Sequence, residues 1–220
     1  MEWRIDHRPA YSLLRLHLTR GESVWFEAGA YVYHKGSVEF RTTSGGIGAA
    51  LKRALLGGES FFLNQAIAKG DTELGLAPAV PGDIAAVEFS GALLVQDTSY
   101  LAHVGRVRVT TRWMGIRGLF AEGEAFWLSL EGEGLAFLAS YGGVEEHRLG
   151  VGEKMTVDNG HIVALDASVG MRIRKFGGLK SFLFGGEGLV VELTGPGRVW
   201  IQSRTLPPFA ALIYRLTGRG

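Results

Sequence analysis

The chain has 220 residues, 46% of them hydrophobic, and a net charge of +1 at pH 7. That is enough apolar material for a substantial core in one or two domains, and the near-neutral balance gives no bulk pull toward nucleic acid or an anionic surface. With no cysteine, the chain can hold no disulfide, thiolate nucleophile or cysteine-ligated zinc or iron–sulfur centre. Glycine is the outlier at 33 residues. These glycines are spread through alternating apolar segments, the pattern of a turn-rich β-protein.

The opening stretch, Met1 to His7, lacks an apolar h-region and carries Glu2 and Asp6, so neither a secretory signal nor a transit peptide is expected. No apolar run reaches the length of a transmembrane helix, and a cytoplasmic location is the expectation. In Leu14-Arg15-Leu16-His17-Leu18 the leucines share one face and Arg15 and His17 the other, which predicts a half-buried strand.

A first recurring word follows: a Gly–acid pair, an alternating strand, an acid and a Gly. It stands at Gly21–Gly29, at Gly82–Gly91 and at Gly152–Gly160. A second word, Gly-Glu and an apolar strand leading to another strand, stands at Gly58–Leu63, running on to Thr72–Leu76. It returns at Gly123–Leu128 with Gly134–Ala139, and at Gly186–Val191 with Gly197–Gln202. Two words in fixed order three times predict three related β-modules, 1–81, 82–143 and 144–220, within one compact unit. Between the first two words, Ile47, Leu51, Ala54 and Leu55 have helical spacing, with Ser44 as N-cap and Gly57 as stop, which predicts a short helix near 46–56.

Later, Val107–Thr110 and Met171–Arg174 alternate like half-buried strands, and Leu189-Val190-Val191 reads as a strand buried on both faces. A helix of a turn or two is expected at Leu179–Phe184, and Gly195-Pro196-Gly197 predicts a turn. After Pro207-Pro208, the spacing of Phe209, Leu212, Ile213 and Leu216 predicts a C-terminal helix.

Several of these segments carry a resemblance. Gly45-Gly46 through Phe62, Gly178-Leu179-Lys180 with Gly185–Leu189, Thr194–Gly197, and Trp200-Ile201-Gln202-Ser203-Arg204 resemble the uncharacterised family related to the yeast altered-inheritance-of-mitochondria protein. The last motif is the most specific, and the resemblance covers nearly the whole chain. It implies an all-β architecture of β-sandwich or double-stranded β-helix modules, similar to the tryptophan RNA-binding attenuator protein, and self-association as trimers. Fungal members are mitochondrial and linked to inner-membrane organisation, a location not expected without a presequence. Fold likeness to the attenuator protein licenses neither RNA nor tryptophan binding.

The residues offer several chemistries, each with a plainer reading beside it. A metal could be held by some of His7, His17, His34, His103, His147 and His161, but no His-x-His pair is present and scattered histidines are the plainer reading. The acids at matching positions, Glu22, Asp83 and Glu153 and then Glu59, Glu124 and Glu187, suit a turn-building task done three times better than an acid–base pair. Lys52 lacks the Gly-Lys-Ser/Thr ending of a phosphate loop, and there is no Gly-x-Ser-x-Gly elbow. Arg106-Val107-Arg108 and Arg172-Ile173-Arg174-Lys175, with Trp113, Phe176 and Trp200 nearby in sequence, could face a nucleic-acid strand. A solvated strand face is the better reading at this net charge. Ile47–Leu56, with Lys52 and Arg53, could lie on a membrane, but a helix capping a module or a subunit contact is preferred.

No catalytic, cofactor-binding or metal-ligating residue is therefore assigned. The sequence reads as an oligomeric, non-enzymatic scaffold or binding protein whose partner is itself, with no nucleic acid expected. The alternative is a small-molecule-binding or metal-dependent enzyme using a β-barrel pocket.

Overall fold

The computed structural model describes residues 1–43, 63–113, 126–175 and 189–218. The helix expected near 46–56, the one expected at 179–184, and the opening Gly-Glu of the second word in all three places lie outside the described residues. In chain order the strands are β1 (Glu2–Asp6), β2 (Leu13–Leu18), β3 (Ser23–Glu27), β4 (Tyr31–Lys35), β5 (Val38–Thr43), β6 (Leu63–Ala68) and β7 (Thr72–Leu76). There follow β8 (Ile84–Gln96), β9 (Tyr100–Trp113), β10 (Phe126–Ala139), β11 (Val144–Leu149), β12 (Lys154–Asp158), β13 (Ile162–Asp166), β14 (Gly170–Lys175), β15 (Leu189–Thr194) and β16 (Gly197–Gln202). A single α-helix among the described residues, α1 (Leu206–Thr217), ends this all-β chain.

The strands form three antiparallel sheets. A nine-stranded sheet, ordered β11-β16-β13-β8-β10-β9-β3-β6-β5, is the spine. A four-stranded sheet, β1-β2-β7-β4, and a three-stranded sheet, β12-β15-β14, complete the set. Leu14, Leu16 and Leu18 of β2 and Leu74 and Leu76 of β7 pack with Phe26, Leu101 and Phe137 of the spine. Val191 and Leu193 of β15 pack with Ile162, Leu165 and Val199 of the spine in a separate core. The alternation read in Leu14–Leu18 holds, with the three leucines buried and His17 exposed.

The centre of the spine is bent back on itself. Gln96 of β8 lies opposite Trp127 of β10, while Tyr100 of β9 lies opposite Leu138 of the same strand. Four residues can span at most about 14 Å, yet a straight strand from Trp127 to Leu138 would cover roughly 37 Å. The strands therefore fold over, and glycines mark the corner. Gly91 pairs with Gly132 and Gly105 with Gly134, and Gly91, Gly132 and Gly105 have φ of +100°, +130° and +106°. A Cβ on Gly132 would stand 2.0 Å from the Arg106 carbonyl oxygen. Folding brings Val87 and Phe89 from one arm of β8 into one core with Leu93 and Val95 from the other. The sequence predicts separate strands at 126–128 and 134–139; the protein has one strand, because paired glycines bend the ladder here without breaking it.

Candidate functional site

The most perturbed titratable groups meet inside the spine, where β3 lies against β9 with Trp25 opposite His103 and Phe26 opposite Ala102. Tyr100 Oη and His103 Nδ1 are hydrogen-bonded at 2.7 Å, and the Tyr100 hydroxyl also lies 3.4 Å from the Trp25 carbonyl oxygen. Tyr100 is 0% exposed and His103 1%. Burial pushes the His103 imidazole down to about 4, so it is neutral across the physiological range. Burial, reinforced by the charge of Asp97, lifts the Glu27 carboxyl to about 7. Burial, reinforced by Glu27, carries the Tyr100 hydroxyl well above its ordinary value. These groups lie 73 and more residues from Glu27 in the chain, so no local motif announces the cluster. The one available signal is that Glu27 shares a strand face with Trp25 in an alternating run.

The acids of the first recurring word do turn work. The Thr19 N–H donates to Glu22 Oε2 at 2.8 Å, and the Gly150 N–H donates to Glu153 Oε2 at 2.7 Å, the same contact three residues back. Asp83 does something else. Only 3% exposed, it accepts from Arg8 Nε and Nη2 at 2.8 and 2.9 Å, from Ser12 Oγ at 2.9 Å and from the Ile84 N–H at 2.8 Å. Burial raises its pKa, but the Arg8 hydrogen bonds, followed by those from Ile84 and Ser12, outweigh this and hold it below the usual range. A further network covers the four-stranded sheet. Arg15 bonds Asp6 at 2.5 Å and Tyr33 at 2.6 Å, and the Tyr33 hydroxyl donates to Glu73 at 2.8 Å. Gly75 makes room for Tyr33, since a Cβ there would lie 2.3 Å from the ring.

The histidines do not converge. His17 faces Glu73, His34 bonds Tyr31, His147 lies beside Glu145, and His161 Nδ1 sits 2.6 Å from the Gln202 carbonyl. No group of three or more His, Asp or Glu with metal-holding geometry occurs among the described residues. On the basic strands, Arg108 bonds Glu131 at 2.5 Å and Arg174 lies 3.2 Å from Glu192, which Lys154 of β12 approaches at 3.4 Å. Trp200 is buried, with the Arg198 guanidinium 4.9 Å from its ring centroid, so it offers no face to a base. Phe176, Lys52 and the 47–56 segment lie outside the described residues.

Two apolar features face outward instead. The first is a seam between β4 and β5, each the outermost strand of its sheet. Tyr31 and Phe40 meet edge to face at 5.3 Å, His34 packs on Phe40, and Tyr31, Val32 and Phe40 are all exposed. The second is α1, none of whose twelve residues is buried. Leu206, Phe209, Leu212, Ile213, Tyr214 and Leu216 are exposed on it, and Phe209 touches the body through the Tyr141 ring at 5.9 Å.

A three-sheet β-protein with a folded-over spine and an outlying terminal helix is the class this architecture defines. Residues 3–204 match the family described as mitochondrial biogenesis AIM24, and the chain belongs to that family. It is 32% identical over 225 residues to an uncharacterised protein of Streptococcus pyogenes serotype M6, covering 98% of this chain and 90% of that relative. A crystal structure of a Streptococcus pyogenes protein is similar throughout, with a TM-score of 0.80, 32% identity, and coverage of 98% of this chain and 99% of that one.

Proposed function

We propose that this protein is a non-enzymatic assembly or binding protein that associates with copies of itself, built from three related β-modules of the attenuator-protein kind. The observation that carries this reading is the β4–β5 seam. Two outer strands of different sheets meet through the Tyr31–Phe40 and His34–Phe40 ring contacts, each with strand pairing on one side only among the described residues, and they present Tyr31, Val32 and Phe40 to solvent. Unpaired edges with exposed apolar side chains are templates for joining another chain. The three-module reading draws support from the matching Glu22 and Glu153 turn contacts. The interior cluster favours no catalytic role, because Tyr100 and His103 present almost no surface to a substrate.

Val32→Glu places a charge at the seam on a side chain that is 50% exposed, so the fold tolerates it. Light scattering after size exclusion is expected to show a smaller mass for this variant than for the native protein. Equal masses with an unchanged melting temperature would contradict the seam's role.

A further inference from the structure

We propose that α1 is an interfacial anchor that lays its apolar face on an anionic lipid surface. The helix is well specified locally. Pro207 and Pro208 occupy its first turn, where their missing N–H groups cost nothing, and Gly218 closes it with φ of +63°. At about 100° per residue, Phe209, Leu212, Ile213 and Leu216 form one stripe, with Ala211 and Tyr214 opposite and Arg215 on its flank. In a folded domain such a stripe is normally buried. Here Leu216 is 73% exposed and the other three are more than 40% exposed.

The charge around the helix selects the occupant. From residue 193 to residue 220 the chain holds Arg198, Arg204, Arg215 and Arg219 and no Asp or Glu. Arg198 is engaged by Asp166 at 3.0 Å. Arg204 donates to the neighbouring Ser203 carbonyl, and neither it nor Arg215 has a carboxylate partner among the described residues. The surface at the foot of the helix adds tyrosines. Backbone bridges join Tyr11 to Gly82 and Gly82 to Gly142, so the 73%-exposed Tyr11 lies two bridges from the residue that follows Tyr141, whose ring meets Phe209. Of the nearby acids, Asp83 is buried and neutralised by Arg8, Asp158 stands close to Thr205 at the start of the helix, and Glu145 is exposed on β11.

Apolar stripe, tyrosines at its margin and unpaired arginines match the layered chemistry of a bilayer interface: acyl chains, then headgroup level, then phosphate. Helix-to-helix docking between two copies would set this acid-free cationic segment against itself. Twelve residues make a helix of roughly 18 Å, too short to cross a hydrocarbon core of about 30 Å, so it lies in the interface plane. The β4–β5 seam is separate from this surface in the sequence and in its side chains, so the anchor does not depend on self-association.

The test is flotation of the full-length protein with vesicles of phosphatidylglycerol and phosphatidylcholine, against vesicles of phosphatidylcholine alone. The native protein is expected to float with the anionic vesicles and to be released by high salt. Leu212→Glu with Leu216→Glu is expected to lower that affinity about a hundredfold. Arg204→Gln with Arg215→Gln is expected to lower it about fivefold per arginine. All four side chains are exposed, so melting temperatures stay at the native value and lost binding is not unfolding. No flotation on anionic vesicles, or equal flotation on neutral ones, would overturn the proposal. So would a drop in solution mass for the glutamate variant with vesicle binding unchanged, which would assign the stripe to a second copy.

Discussion

Glu27 and His103 pull the acid–base behaviour of this protein in opposite directions. Glu27 is lifted from an ordinary 4.5 to about 7 by burial and then by Asp97. Its contribution to stability is full below pH 4.5 and is lost as pH rises through about 7, because the folded state holds the proton more tightly than the unfolded chain. His103 is lowered from 6.5 to about 4 by burial. Its contribution is full above pH 6.5 and is lost as pH falls through about 4. Between those limits the two slopes offset. Glu27→Gln removes one of them. In urea titrations this variant is expected to be about 3 kcal/mol more stable than the native protein at pH 8 and within ~1 kcal/mol of it at pH 5. A variant that tracks the native protein at both pH values would mean that Glu27 is not held protonated by its surroundings.

At the scale of elements, the corner of the spine is the feature most dependent on single residues. Gly132 combines φ of +130° with a Cβ position 2.0 Å from a backbone oxygen that cannot swing away. Gly132→Ala is expected to cost about 3 kcal/mol, from the backbone conformation and the clash together. Thermal unfolding reads this directly, and Gly91→Ala, which has open space around its Cβ position, should cost less. Period-two strands such as Leu14–Leu18 and the four-residue spacing of α1 were legible in the sequence, because burial of one face is a local pattern. The single bent β10 was not. Glycines in a strand signal both turns and bends, and what distinguishes them here is the pairing of Gly132 with Gly91 and of Gly134 with Gly105, contacts that are long-range in the chain. The partners of Glu27 were hidden for the same reason, while the turn role of Glu22 and Glu153 was readable from their place after glycine. The exposure of α1 was hidden too, since a helical stripe looks alike in sequence whether or not the body covers it.

For the whole molecule, the described residues place Tyr100 and His103 inside the spine and leave two apolar features exposed. Among the described residues, His103 is sealed in the spine and Asp83 is locked in an ion pair with Arg8. Among the described residues, the β4–β5 seam and the face of α1 are exposed apolar surfaces. We propose that this AIM24-family chain holds copies of itself together. The direct measurement is the mass of the native protein by light scattering at micromolar concentration, without lipid. A discrete multiple of the 23.8 kDa chain is predicted. A monomer at that concentration would contradict the account.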